Sequence, residues 1–185
     1  MLDLGSACSD DRFILQDGEP AMDPAQLSQR DSEYLSKVLG RELIAACNVW
    51  VRNEKGDPVV IRNAPLTLDG RPMPTLYWLV DPELCKQVSR LESEGAIAAI
   101  RLQVPEGLIE QAHSCYARER EMLLESMWPN WSGPVPSGGV GGTRQGVKCL
   151  HAHLAYWLSG ARDPVGAWCA ERLGLTKAPF GVLAR

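Results

Sequence analysis

The chain has 185 residues, with 19 Lys and Arg against 23 Asp and Glu, 45% hydrophobic and 23% charged, a composition that excludes fibrous and wholly disordered classes. This length suits one core, because two separate cores would each sit near the size at which burial scarcely offsets chain entropy. No apolar run approaches the roughly 20 residues needed to cross a bilayer, and the start lacks the basic-then-apolar order of a secretory signal, so a cytoplasmic protein with no membrane partner is expected.

Residues 1–23 carry Asp3, Asp10, Asp11, Asp17, Glu19 and Asp23 against Arg12 alone, and little periodicity, which predicts an acidic mobile tail ahead of a single body over 24–175 and a short C-terminal tail over 176–185. Asp23-Pro24 suits a helix start, with an amphipathic stretch to about Leu39 and Gly40 as its stop. Leu43 to Val51 and Val59 to Ile61 are strand-like and flank a turn composition, Asn53-Glu54-Lys55-Gly56-Asp57, which predicts a hairpin. After the Asp69-Gly70 turn, Thr75 to Val80 reads as a third strand. Asp81 offers a helix cap with Pro82 at the first helical position, and the helix runs to Gly95.

A short segment around Ile97 to Leu102 precedes a longer helix opened by Pro105, in which Arg118-Glu119-Arg120-Glu121 reads as the wet face. Residues 128–146 hold three Pro and six Gly, a long loop of the kind that is usually functional or disordered. Two helices close the chain, Val147 to Ser159 and Pro164 to Leu173. Strands first and helices mainly afterwards predict an α+β fold, a three-stranded antiparallel sheet packed by about five helices.

Chemistry concentrates in one stretch, Gly138 to His153. Glycines let backbone N–H groups turn toward a ligand, the next helix start leaves N–H groups unpaired, and Arg144 and Lys148 add positive charge. Gly141, Gly142, Thr143, Arg144, Gly146 and Lys148 are therefore candidate ligands for a phosphate or carboxylate. The basic residues from Arg144 onward favour an anionic small molecule weakly; without a basic, aromatic-rich run, nucleic acid is not an expected partner. The spacing is not that of a Walker A loop, and the alternative reading is a surface linker whose glycines permit a tight path.

Six cysteines, at 8, 47, 85, 115, 149 and 169, never form a C-x-x-C pair, which excludes zinc-ribbon and thioredoxin motifs and predicts mostly reduced thiols. Cys149, His151 and His153 form the second signal. In a helix Cys149 and His153 share a face at i, i+4 while His151 points away; in an extended segment all three share one face. The helical form would need outside ligands, His113, Cys115 or Cys47, and zinc suits such sulfur and imidazole donors. The alternative is a small core cysteine beside hydrogen-bonded histidines. A nucleophilic Cys149, activated by the helix start and Lys148, is a further reading. No serine-hydrolase elbow, H-E-x-x-H helix or dinucleotide fingerprint occurs.

Several blocks resemble one family: Arg62-Asn63-Ala64-Pro65, Pro72-Met73-Pro74-Thr75-Leu76-Tyr77-Trp78-Leu79, Arg90-Leu91-Glu92, and above all Gly141-Gly142 leading to Gly146-Val147-Lys148-Cys149-Leu150-His151-Ala152-His153. They resemble the bacterial domain-of-unknown-function family 501 over about residues 40–170. Arg62, in the first block, joins the candidate anion ligands. The resemblance matches Cys47 to a cysteine that opens the family's first block, making it the preferred outside partner of Cys149 and His153. Where relatives often carry Cys-Pro after the third strand, this chain has Asp81-Pro82. The family brings no established activity; it implies a cytoplasmic bacterial protein, often encoded beside cell-division and polyphosphate-metabolism genes. The leading expectation is an anion- or phosphate-binding domain organised by Cys47, Cys149, His151 and His153, whose enzymatic version would be metal-assisted hydrolysis or transfer on a phosphorylated substrate. Its rival is a non-catalytic interaction module that meets a protein partner through the acidic tail or the Trp128 to Trp131 loop.

Overall fold

A computed structural model describes residues 27–176. The expected acidic tail lies outside the described residues, as does all of the expected C-terminal tail beyond Thr176. Helix α1 spans Gln29–Leu39. It begins later than Asp23-Pro24 suggests because Ser28 is its cap, accepting from the Asp31 N–H at 3.1 Å, and it ends on Gly40 in the left-handed conformation. Strands β1 (Ala45–Arg52) and β2 (Pro58–Thr67) pair antiparallel, and β3 (Tyr77–Leu79) pairs with β2, giving the order β1-β2-β3. Asn53 closes the hairpin, its side-chain carbonyl accepting from the N–H groups of Lys55 and Asp57 at 3.0 Å. Strand β2 runs well past Ile61 because its polar residues are buried: Arg62 and Asn63 are 5% and 2% exposed.

The remaining helices are α2 (Pro82–Ser93), α3 (Ala96–Gln103), α4 (Glu106–Met127), α5 (Leu150–Leu158) and α6 (Pro164–Arg172). The α+β architecture is as expected, with six α-helices among the described residues rather than about five, the short Ile97 segment being the helix α3. Asp81 and Asp163 cap α2 and α6, each followed by proline and each accepting a backbone N–H three residues on.

The sheet has two covered faces. Ala46, Val59, Ala64, Tyr77 and Leu79 join the main core with α2 to α6, while Cys47, Ile61 and Val80 pack with Leu35 of α1 on the other side. Alternation along β3 follows from the two-residue period of a strand, which sends Tyr77 to one face and Trp78 to the other.

The expected wet face of α4 is a correction. Arg118 and Glu121 are exposed, but Glu119 and Arg120 are 7% and 1% exposed. The helix buries Ile109, Ala112, His113, Tyr116, Glu119, Arg120 and Leu123 along one stripe, and its charged members are held by partners the local sequence does not show. Glu119 accepts from the Tyr77 hydroxyl and lies 3.9 Å from Arg62, whose guanidinium stacks on Trp50 at 4.7 Å.

Candidate metal centre

The glycine loop is bolted to α4 rather than left open. Arg120 donates to the carbonyls of Pro74 at 3.0 Å and Gly138 at 2.7 Å. His113 accepts the Val140 N–H on Nδ1 at 3.0 Å, which leaves its proton on Nε2, where it donates to the Gly146 carbonyl at 2.8 Å. Burial pushes the His113 imidazole below its ordinary pKa, in keeping with that neutral form. Gly139 must be glycine, since a Cβ there would overlap the His113 side chain. Three of the loop's N–H groups are engaged within it: Gly139 donates to Thr143 at 2.7 Å, Gly142 to Gly139 at 2.9 Å and Thr143 to Val140 at 3.4 Å. Of the expected anion ligands, Gly142 and Thr143 thus have their N–H groups engaged within the loop. Arg144 and Lys148 are exposed, whereas Arg62 sits in the core against Trp50 and Glu119, with its charge engaged there rather than offered to a ligand.

The Cys/His segment differs from its expected geometry in one residue that changes everything downstream. Helix α5 begins at Leu150, so Cys149 is its cap residue, with extended φ −150° and ψ 118°. The i, i+4 relation between Cys149 and His153 therefore does not operate. His153 is 1% exposed and its Nδ1 lies 2.7 Å from Asp163 Oδ2, while Asp163 Oδ1 accepts the Gly166 N–H that starts α6. His153 packs against His113, ring centroids 5.5 Å apart, inside the core. Cys47 lies in the α1-side cluster, and burial pushes its thiol up to about 11. The expected set of Cys47, Cys149, His151 and His153 is divided among three places; of the four, Cys149 and His151 stay together.

Their third member is Glu92, near the end of α2. One atom each from Glu92, Cys149 and His151 lie within 4.8 Å of one another, and all three residues are half-buried. Cys149 Sγ is 3.8 Å from His151 Nδ1, and that nitrogen is 3.5 Å from Glu92 Oε1. The far nitrogen, Nε2, is 3.1 Å from the Cys85 carbonyl and 3.2 Å from Ser89 Oγ, so its proton is directed to a carbonyl acceptor. Glu92 Oε1 also accepts the Leu150 N–H at 2.7 Å, which gives α5 an acidic cap from a residue 58 positions earlier.

The electrostatics follow from this crowding. Burial alone would raise the Cys149 thiol, yet its hydrogen bonds with His151 and the Ala152 N–H bring it below its ordinary value. His151 is pushed up to about 9, chiefly by the hydrogen bond to Cys149, against the opposing effect of burial. Cys85 and Cys169 go the other way, to about 11 and about 12, because burial dominates there. For a tetrahedral zinc ion, donors of these types stand about 3.4–3.6 Å apart. The observed 3.8 and 3.5 Å are within a few tenths of that.

A family model described as Protein of unknown function (DUF501) matches residues 49–171. The chain belongs to the DUF501 family. The match contains Glu92, Cys149 and His151, together with the whole glycine loop, and excludes α1 and Cys47. Comparison with curated proteins and with solved structures gives no match. Sequence reasoning passed over Glu92 as a ligand; its one signal was its place in the DUF501-like block Arg90-Leu91-Glu92.

Proposed function

We propose that this DUF501 protein binds one transition-metal ion, zinc by donor type, through Glu92, Cys149 and His151. The observation that carries the reading is the convergence of one ligand atom each from Glu92, Cys149 and His151 within 4.8 Å, with His151 Nε2 directed at the Cys85 carbonyl. That outward bond is the usual second contact of a metal-bound histidine, fixing the tautomer that leaves Nδ1 free to ligate. With Nε2 protonated, Nδ1 faces the other two donors, Cys149 Sγ at 3.8 Å and Glu92 Oε1 at 3.5 Å. Three protein ligands leave a fourth position open, the arrangement of catalytic rather than structural zinc. A metal there would activate water for hydrolysis or transfer, and the exposed cations Lys148, next to Cys149, and Arg144 favour an anionic or phosphorylated substrate.

The test is metal content of untagged full-length protein after incubation with equimolar zinc and gel filtration. One zinc per chain is expected, falling at least tenfold in Cys149→Ala and in His151→Ala. Metal-free wild-type protein overturns the reading. A second reading rests on the Leu150 N–H to Glu92 bond: the cluster is a structural clip joining α2 to α5 in a non-catalytic module. It predicts that the substitutions lower melting temperature equally with and without zinc.

A further inference from the structure

We propose that Cys149 is a peroxide-sensitive site whose oxidation expels the metal, so that the centre responds to oxidants; this rests on the metal reading above. The inference stands on what surrounds each sulfur. Cys47 and Cys169 are completely buried. Cys85 is half-buried, but its Sγ donates to the Leu79 carbonyl at 3.4 Å, a contact that requires the S–H form. Cys149 is half-buried and in different surroundings, its sulfur 3.8 Å from His151 Nδ1 and grouped with Glu92. Among the four free thiols of the described residues, Cys149 alone combines partial access to solvent with a place in the Glu92 and His151 group.

The sulfur is also the one soft ligand of three. Its lone pair attacks one oxygen of a peroxide; the S–O bond forms as the O–O bond breaks, the sulfur is oxidised by two electrons to a sulfenic acid, and the second oxygen leaves as hydroxide and is protonated by solvent. A sulfenic acid is a poor zinc ligand, and Glu92 and His151 alone make a two-donor site with little hold on the ion. Oxidation of one atom therefore empties the centre, while the Leu150 N–H to Glu92 bond still ties α5 to α2.

The experiment uses full-length protein loaded with zinc, treated with hydrogen peroxide in the presence of dimedone and a chromogenic zinc indicator. Zinc is measured before and after, and the adduct is mapped by mass spectrometry. The expected result is one zinc released per dimedone adduct on Cys149, with none on Cys47 or Cys169. A Cys149→Asp variant, which keeps a metal-binding oxygen without sulfur, should release zinc at least tenfold more slowly; if it takes up no zinc, the wild-type map alone decides. Protein that never loads zinc refutes the metal reading. Protein that loads zinc and keeps it through peroxide, or releases it with the adduct elsewhere, refutes this inference and leaves the metal reading standing.

Discussion

Arg120 is the largest side chain with almost no exposure among the described residues, and its guanidinium serves two carbonyls that belong to different loops, Pro74 and Gly138. A buried cation is tolerated only with hydrogen-bond partners in place, and those carbonyls in turn lose their donors when it is removed. Arg120→Met keeps the volume and deletes the donors. We expect a loss of about 2–4 kcal/mol in urea unfolding, with the glycine loop becoming susceptible to limited proteolysis. Gly139→Ala attacks the same joint from the other side. Its methyl meets the His113 side chain, and any shift of that ring gives up the bonds to Val140 and Gly146. A loss of about 1–3 kcal/mol is expected, read in the same assay. None of this inward wiring was legible beforehand, because Arg and Glu in a helical run are mostly solvated, and the partners of Arg62, Glu119 and Arg120 come from other elements.

At the scale of elements, α2 and α5 are joined where one helix ends and the other begins. Glu92 accepts the Leu150 N–H and, in the proposed metal site, would also present an oxygen to the ion, and a pair of substitutions separates the two roles. Glu92→Gln keeps a carbonyl oxygen for the cap but removes the charge, so stability should change by less than about 0.5 kcal/mol while zinc affinity falls at least tenfold. Glu92→Ala removes both, and should cost about 1–2 kcal/mol in zinc-free protein as well. Equal melting temperatures for the two zinc-free variants would show that the cap contributes nothing. Helix boundaries were readable at three local signals, Asp81-Pro82, Asp163-Pro164 and Gly40, which all stand where the sequence places them, whereas the local cap Ser28 was passed over for Asp23-Pro24. The start of α5 was not, since cysteine carries little capping signal and the carboxylate that satisfies Leu150 lies in another helix. With α5 starting at Leu150 rather than Val147, it is His151, of the two expected histidines, that lies beside Cys149.

Across the whole molecule the two faces of the sheet are unequally secured. The main core has five helices; the other face has α1, resting on Leu35, Cys47, Ile61 and Val80 and tied at its first turn by Asp31. Arg52 of β1 reaches that carboxylate with two bonds of 2.8 Å, and Ser28 adds a third contact at 2.8 Å. The Arg52 hydrogen bonds hold Asp31 below the usual carboxylate pKa, against desolvation. A group whose folded-state pKa is depressed contributes stability that is fully present above its unfolded value, near 4, and lost as pH falls through the folded value. Arg52 is 39% exposed along its side chain, so solvent screening limits the contribution to about 1 kcal/mol. Wild-type protein should therefore lose about 1 kcal/mol more than Asp31→Asn between pH 6 and pH 2.5, measured by urea unfolding. Because Asp31 fastens α1 and not the main core, hydrogen exchange at the acid end should rise first in Gln29–Leu39 while amides of α4 stay protected; simultaneous loss in both would mean that the two faces melt as one unit.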